Sequence, residues 1–157
     1  PAFIIQQDDF FRYPPKTNAS IRIQTGGSVG PEEVRLDVLN GIVRSARSGA
    51  NIITKPLVLF SEDEITTETV DISPFRVILI EGTYTTLLED VNCRIFIDRD
   101  LEDTRADRLA RNRETQDDFL EMILMREHQI ISQHKKQADL VITSAFTVER
   151  ISAHYDR

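Results

Sequence analysis

The sequence has little of what marks several special classes of protein. It contains a single cysteine, so no internal disulfide can form, and a reducing, cytoplasmic location is expected. No apolar run reaches the length of about 18 residues that a membrane span needs, and the first residues lack the pattern of a signal peptide. Six glycines and six prolines in 157 residues are too few for a collagen-like or low-complexity chain. We therefore expect a globular protein with no membrane partner.

The charge balance is acidic. Nineteen basic and 26 acidic residues give a formal net charge of −7. This balance argues against nucleic acid as a partner, because sequence-independent binding depends on many cationic side chains. With 40% hydrophobic residues, the chain is long enough to bury a core, and we predict one domain over residues 1–157.

The order of apolar segments predicts an α/β fold. Four short runs rich in Ile, Val or Phe have the pattern of parallel strands covered on both faces, namely residues 2–6, 77–80, 94–97 and 140–143. Helical patterns lie between them, at residues 31–47 and at residues 102–137 with a polar hinge near 112–117. The segment 52–60 contains Pro56 and is predicted to be an edge strand or a hairpin. Strands that alternate with helices favour a parallel sheet.

Acidic residues follow two of the predicted strands. Asp8 comes just after the first strand, and Glu81 ends the second and precedes Gly82. The carboxyl ends of parallel strands share one edge of a sheet, where ligands usually bind. Two carboxylates at that edge predict a cation site, with Asp8 also placed to accept a proton from a hydroxyl. The alternative is a capping Asp and a solvated Glu of no functional consequence.

Arginines are concentrated after the third predicted strand. Arg105, Arg108 and Arg111 recur every three residues, and Arg113 follows them. On a helix the first three cover about a third of the circumference. Guanidinium groups suit phosphate binding, although the row is also typical of an ordinary charged face with intrahelical pairs.

The opening of the chain is unusual. Pro1 and Ala2 lead at once into a strand, with no initiator Met. A protein rarely begins inside its own core, so we expect a segment upstream of these residues.

Five short motifs in order resemble the uridine kinase and phosphoribulokinase group of P-loop kinases. They are Q-D-D-F-F, V-I-L-I-E-G, R-I-F-I-D, the arginine-rich helix and the late A-D-L-V-I, and together they cover residues 2–143. The resemblance implies a three-layer α/β sandwich with a mainly parallel sheet and a helical lid at about residues 100–118. It also implies the use of ATP and Mg²⁺. A homodimer would be in keeping with other members of the group.

The resemblance also assigns roles to residues. Asp8 matches the catalytic acid that positions or deprotonates the acceptor hydroxyl and contacts the metal, with Phe11 where a Tyr usually stands. Glu81 matches the acid that lies by the metal and acceptor. Arg105, Arg108 and Arg111, with Arg113 as the alternative for the last, match the lid arginines that close over the nucleotide phosphates. Apart from the resemblance, Phe11, Arg35 and Tyr84 are candidates for the acceptor pocket, and Asn18 and Arg22 are alternatives of equal rank.

The sequence departs from the group in three places. It contains no G-x-x-x-x-G-K-[ST] phosphate loop, which leads us to expect that this loop and the first central strand lie upstream. Residues 56–61 replace the usual substrate segment Y-D-F, and the lid lacks the Arg-Gly-Arg-Asp end. A central strand cannot be missing from a stable sheet, because each unsatisfied buried backbone group costs about 1–3 kcal/mol. The alternatives to an upstream strand are a strand supplied by another chain and a changed order of strands.

Three functions remain open from the sequence. The first is an ATP-dependent phosphotransferase that acts on an alcohol group of a small nucleoside-, sugar- or pantothenate-like molecule. The second is an inactive kinase-like binding or regulatory module without a phosphate loop. The third, a phosphate-ester enzyme of another α/β family, needs a nucleophile in a phosphate-binding loop. Cys93 has no such loop around it, and we expect it to be a small buried residue.

Overall fold

The structure is a computed structural model that describes residues 1–111 and 117–151, apart from the side chain of Arg111. The described residues form two compact units. One unit consists of residues 1–26 and 30–91, and the other of residues 27–29 together with the chain from Asn92 onward. The polar hinge predicted near residues 112–117 lies mostly outside the described residues.

The elements follow one another in a mixed α/β order. The strands are β1 (Ala2–Gln6), β2 (Ile52–Leu59), β3 (Glu64–Asp71), β4 (Val77–Glu81), β5 (Ile95–Asp98), β6 (Leu140–Thr143) and β7 (Val148–Arg150). The helices are α1 (Pro15–Gln24), α2 (Leu36–Arg47), α3 (Arg105–Arg111) and α4 (Asp118–Ile131). Short 3₁₀ turns cover Gln7–Phe10, Pro31–Glu33, Thr85–Leu87 and Ser132–Gln137. This order confirms the predicted α/β class.

The four predicted apolar strands form two parallel pairs. In the first unit β1 pairs with β4 in a register that runs from Ala2 opposite Val77 to Gln6 opposite Glu81. In the second unit β5 pairs with β6, and β7 adds to β6 in the antiparallel direction. The parallel pairing predicted from the apolar runs is therefore confirmed.

Coverage of the β1–β4 pair differs from the expectation. Ile5 is fully buried, whereas its neighbour Ile4 is 54% exposed and Leu79 is 47% exposed. Alternate residues point to opposite faces of a strand, so one face of this pair is packed and the other is largely open. The prediction that these strands are covered on both faces is wrong for this pair.

The segment around Pro56 is a long hairpin. Strands β2 and β3 pair in the antiparallel direction over eight residues each, with Ile52 opposite Asp71 and Leu59 opposite Glu64. This confirms the hairpin alternative. Asp63, in the hairpin turn at φ 55°, accepts hydrogen bonds from the backbone N–H groups of Lys16 and Thr17. The turn thereby caps the start of α1, whose first N–H groups have no partner within the helix.

The helix predicted at residues 31–47 begins later than expected. Residues 31–33 form a 3₁₀ turn, and Val34 makes an isolated antiparallel bridge with Phe11. The N–H of Arg35 donates to the carbonyl of Phe10 at 2.8 Å. Because residues 34 and 35 pair across to the segment after β1, the regular helix α2 can begin only at Leu36.

The second unit has a small core of its own. Phe96, Ala138 and Val141 are buried together, and Ile131 and Ile151 pack against them. Cys93 is exposed in the turn before β5, so the prediction that it is buried is wrong. No helix within the described ranges is long and apolar enough to cross a membrane.

Candidate active site: a carboxylate pair at the edge of β1 and β4

Two carboxylates predicted to act together lie at one edge of the first unit. Parallel pairing puts Gln6 directly opposite Glu81, so the carboxyl ends of β1 and β4 coincide. Asp8 follows two residues later, in the 3₁₀ turn that continues β1. The acidic side chains of Asp8 and Glu81 are both exposed at this edge.

The two carboxylates influence each other. Partial burial raises the pKa of Glu81 above its ordinary value of 4.5, and the negative charge of Asp8 raises it further. Like charges that raise a pKa in this way favour any bound cation that neutralises them. Within the described ranges no cluster of three or more acidic, His or Cys side chains could hold a metal. Magnesium commonly uses only one or two carboxylates and completes its shell with phosphate and water, so Asp8 and Glu81 fit such an ion.

The loop after β4 is held against the turn after β1 by Gln7. This side chain is fully buried, and its Oε1 accepts a hydrogen bond from the backbone N–H of Tyr84 at 2.7 Å. A Cβ atom added at Gly82, where φ is +151°, would lie 2.3 Å from the Cβ of Gln7. Only glycine allows the two segments to approach this closely. The sequence did not indicate this role of Gln7, because its partner Tyr84 lies 77 residues away.

A buried ion cluster lies next to the carboxylate pair in the sequence. Asp9 is 7% exposed and Lys55 is 4% exposed, and Lys55 Nζ lies 2.6 Å from Asp9 Oδ2 and 2.7 Å from Glu68 Oε1. Asp9 Oδ1 also accepts the backbone N–H of Val58. Burial lowers the pKa of Lys55, but its bonds to Asp9 and Glu68 outweigh that effect and raise the pKa above 10.5. The sequence indicates this cluster in one way only. Lys55 lies two residues after Ile53 in β2, so both side chains point to the same buried face of the strand.

The three candidates for the acceptor pocket lie in different settings. Tyr84 is fully buried, and Phe11 is half-buried beside its bridge to Val34. Arg35 lines an open cavity of about 360 Å³ between α2 and the hairpin. Their role in binding an acceptor stays a prediction.

The arginine row belongs to the second unit and makes local contacts. Arg105 is exposed and lies 3.6 Å from Glu102, one turn earlier. Arg108 folds back instead, and its guanidinium donates to the carbonyl of Leu101 at 2.8 Å and to the hydroxyl of Thr104. Arg111 is the last residue of α3, and its side chain, like Arg113 as a whole, lies outside the described residues. Arg105 thus pairs with a residue in the turn before α3 and not with one inside the helix, and the phosphate-binding role of the row stays a prediction.

Arg108 also lines a second open cavity of about 360 Å³, within the second unit. The cavity is bordered by the charged side chains of Asp98, Arg99 and Glu127, among others. The Nε atom of Arg108 is buried there and has no hydrogen-bond partner within the described part of the chain. Of the two arginines of the row whose side chains are described, Arg105 is exposed and Arg108 is partly buried.

Comparison with solved structures finds three relevant likenesses. Phosphoribulokinase from Rhodobacter sphaeroides matches with a TM-score of 0.65 at 16% identity, over 90% of this chain and 60% of that chain. A protein assigned as a fructose transport system kinase from Silicibacter sp. TM1040 matches with a TM-score of 0.55 at 16% identity, over 90% of this chain and 74% of that one. The chain has the P-loop kinase fold.

The third likeness is to the YGR205w protein, with a TM-score of 0.52 at 11% identity, over 96% of this chain and 79% of that one. The present chain thus spans about three fifths of the length of the phosphoribulokinase. Neither the family models nor the curated protein sequences give a match. At these sequence identities the likenesses establish only the fold. The chemistry has to be inferred from the side chains.

Proposed function

We propose that this protein is a phosphotransferase that moves the γ-phosphate of ATP to an alcohol group of a small molecule. The observation that carries the proposal is the placement of Asp8 and Glu81 at the shared carboxyl edge of two in-register parallel strands, where the charge of Asp8 acts on Glu81. Two of the structural likenesses are to proteins described as kinases, one of them a phosphoribulokinase. A nucleoside-, sugar- or pantothenate-like acceptor is proposed with it.

Asp8 binds and activates the alcohol that accepts the phosphate. Its carboxylate accepts a hydrogen bond from the acceptor hydroxyl, orients the oxygen toward the phosphorus and takes the proton as the bond forms. Glu81, at the end of the neighbouring strand β4, is the ligand for the metal ion. When Mg²⁺ is bound with ATP, the metal ion would neutralise part of the negative charge on the transferred phosphoryl group.

The arginines of α3 supply positive charge to the phosphates. Arg105 and Arg108 bind the phosphate oxygens in this proposal, together with Arg111 at the end of α3 or with Arg113 further along the sequence. Arg105 is suited to it because an exposed i,i+3 ion pair contributes little and can be exchanged for a phosphate contact. Phosphoryl transfer depends mainly on such positioning and charge stabilisation, not on covalent chemistry.

The proposal is tested with the variant Asp8→Asn in the full-length protein. Loss of the proton acceptor should lower kcat by about 10²- to 10⁴-fold, while nucleotide affinity stays within about tenfold. Phosphate transfer from labelled ATP to a panel of small alcohols gives kcat, and nucleotide titration with Mg²⁺ gives the affinity. Asp37→Asn, on the exposed side of α2, is the matched control and should leave both unchanged.

Two results would contradict the proposal. One is wild-type protein that shows no Mg²⁺-dependent transfer to any alcohol in the panel, which would favour a binding or regulatory module. The other is an Asp8→Asn variant that retains the wild-type kcat. A variant that loses activity and nucleotide binding together is checked by circular dichroism, since misfolding would remove both.

A further inference from the structure

A cavity in the first unit contains more positive charge than the protein neutralises. It is an open cavity of about 360 Å³ between α2 and the β2–β3 hairpin, and none of its lining residues is Asp8 or Glu81. Its polar lining consists of two arginines, one lysine and three threonines, namely Arg12, Arg35, Lys55, Thr54, Thr66 and Thr67. The volume is that of a small-molecule site.

Arg35 gives the main evidence that a ligand binds in this cavity. The Nε and Nη2 atoms of its guanidinium are shielded from solvent, and neither has a hydrogen-bond partner in the described part of the chain. Its backbone N–H, by contrast, donates to the carbonyl of Phe10, so the residue is held in place. Arg35 as a whole is partly buried. Shielded donors of a charged group that lack partners are unfavourable, and native proteins rarely keep them unless a ligand or water satisfies them.

Arg12 adds a second positive charge to the same cavity. Its Nε donates to the carbonyl of Glu32 at 2.7 Å, and its backbone N–H donates to the carbonyl of Glu33 at 2.8 Å. Both bonds go to carbonyl groups, and no ion pair of Arg12 with a carboxylate is found among residues 1–111 and 117–151. The segments that carry Arg12 and Arg35 are joined by the bridge between Phe11 and Val34, which fixes the two arginines on one side of the cavity.

Lys55 does not contribute a free charge. Its ammonium group is already bound to two carboxylates, Asp9 and Glu68, so this cluster has one negative charge more than it has positive charges. The local excess of positive charge therefore comes from the two arginines alone. Forked guanidinium donors together with threonine hydroxyls are the groups that recognise the oxygens of phosphate or carboxylate. The net charge of −7 opposes nonspecific attraction of anions, so binding here has to come from the site itself.

We propose that this cavity is an oxyanion-binding site in which Arg35 and Arg12 hold a phosphate or carboxylate group of a small molecule. The group belongs either to the acceptor of the transferred phosphate or to a separate effector. The acceptor case rests on the function proposed above, whereas the binding site itself does not depend on it.

The test measures thermal unfolding of the full-length protein in inorganic phosphate and in chloride of equal ionic strength, at constant pH. Wild-type protein should show a saturable rise in Tm with phosphate only. Arg35→Met should keep or raise Tm in chloride, because it removes two shielded donors that have no partner, and should lose the phosphate-dependent rise. A purely structural arginine would behave in the opposite way, since its removal would lower Tm in chloride.

Matched variants make the outcome unambiguous. Arg76→Met replaces an exposed arginine of the same unit and should keep the full phosphate effect. Arg12→Met and Arg35→Lys should each weaken phosphate binding at least tenfold in calorimetric titration, and Arg12→Met serves if Arg35→Met fails to fold. Absence of phosphate-specific stabilisation in the wild type, or an undiminished effect in Arg35→Met, overturns the proposal.

The source of the oxyanion is decided by kinetics. If the group belongs to the acceptor, Arg35→Met raises KM for anionic acceptors and leaves KM for neutral acceptors unchanged, and phosphate competes with the acceptor. If it belongs to an effector, phosphate binds without such competition. Either pattern supports the site. Failure of phosphate transfer in the Asp8 experiment would leave the phosphate titration unaffected, so the two proposals fail independently.

Discussion

Asp8 and Asp9 are adjacent residues of one 3₁₀ turn, yet their surroundings are opposite. Asp9 is 7% exposed and binds Lys55 and a backbone N–H, so its charge is neutralised inside the protein. Asp8 is exposed and its charge raises the pKa of a second acid, Glu81. The turn therefore places one carboxylate in a structural ion cluster and the other at an edge where a cation would be favourable.

The comparison teaches how the same side chain can support stability or chemistry. A buried carboxylate needs a partner in the folded chain, because the alternative is an unpaired charge in a poorly polarisable environment. A carboxylate available to a ligand sits instead where its charge is only partly compensated. Substitutions in the two regions should therefore change stability in opposite directions.

The largest effect is expected in the buried cluster. Lys55→Met leaves Asp9 buried without its cation and should lower the free energy of unfolding by about 3–5 kcal/mol. Urea denaturation followed by circular dichroism measures the loss. The double variant Lys55→Met with Asp9→Asn should recover part of it, because the carboxylate that remains, Glu68, is 37% exposed and can be solvated.

Lys135→Met is the matched control for this prediction. Lys135 makes a surface ion pair of 2.6 Å with Asp98, and both side chains are more than 40% exposed. Its replacement should change stability by no more than about 1 kcal/mol. Equal losses for Lys55→Met and Lys135→Met would break the distinction between the two kinds of pair.

The next effect is expected where the carboxylate edge is held together. Gly82→Ala would place a Cβ 2.3 Å from the Cβ of Gln7, and the backbone must shift to relieve the overlap. The expected loss is about 1–3 kcal/mol. Gly41 lies inside α2, and a Cβ added there would meet no atom of another part of the structure within 4 Å. Gly41→Ala should therefore stabilise the protein by about 0.5–1 kcal/mol. Chemical denaturation of both variants checks the signs, and a neutral Gly82→Ala would show that the approach of the two loops is not tight.

The smallest effect is expected at the edge itself. Glu81→Gln removes the repulsion from Asp8, so it should leave stability unchanged or raise it by at most about 0.5 kcal/mol. The folded-state pKa of Glu81 lies above its unfolded value, so its contribution is most favourable at low pH and is lost as pH rises through the folded pKa. The advantage of Glu81→Gln over wild type should therefore appear as pH rises above 4.5.

Metal binding sharpens the same comparison. Protons compete with Mg²⁺ for Glu81, so Mg²⁺ affinity should fall as pH is lowered through its raised pKa. Calorimetric titration at several pH values measures the change. Glu64→Gln, on the exposed strand β3, is the control and should keep the wild-type affinity and pH profile. A wild-type affinity that does not depend on pH would exclude Glu81 as a ligand.

Much of the local structure could be predicted from residue types. Apolar runs with β-branched side chains identified the strands, and Pro56 marked the hairpin correctly. The contacts across the fold could not be predicted this way. The bridge between Phe11 and Val34 shortens a predicted helix, and Gln7 joins two loops that are 77 residues apart. Periodicity describes only the near neighbours of a residue, so such pairs leave no signal.

The sequence by itself determined the α/β class, the parallel strands and the two acids that follow them, because strand ends and side-chain chemistry can be read from the order of residues. Only the tertiary structure decided that Asp9 and Lys55 are buried partners while Asp8 and Glu81 share an exposed edge. It also decided that Nε and Nη2 of Arg35 are shielded from solvent without a hydrogen-bond partner in the residues that the structure describes. The physical reason is that burial and pairing depend on distances between segments remote in the chain, and these distances set whether a charge is neutralised or left available.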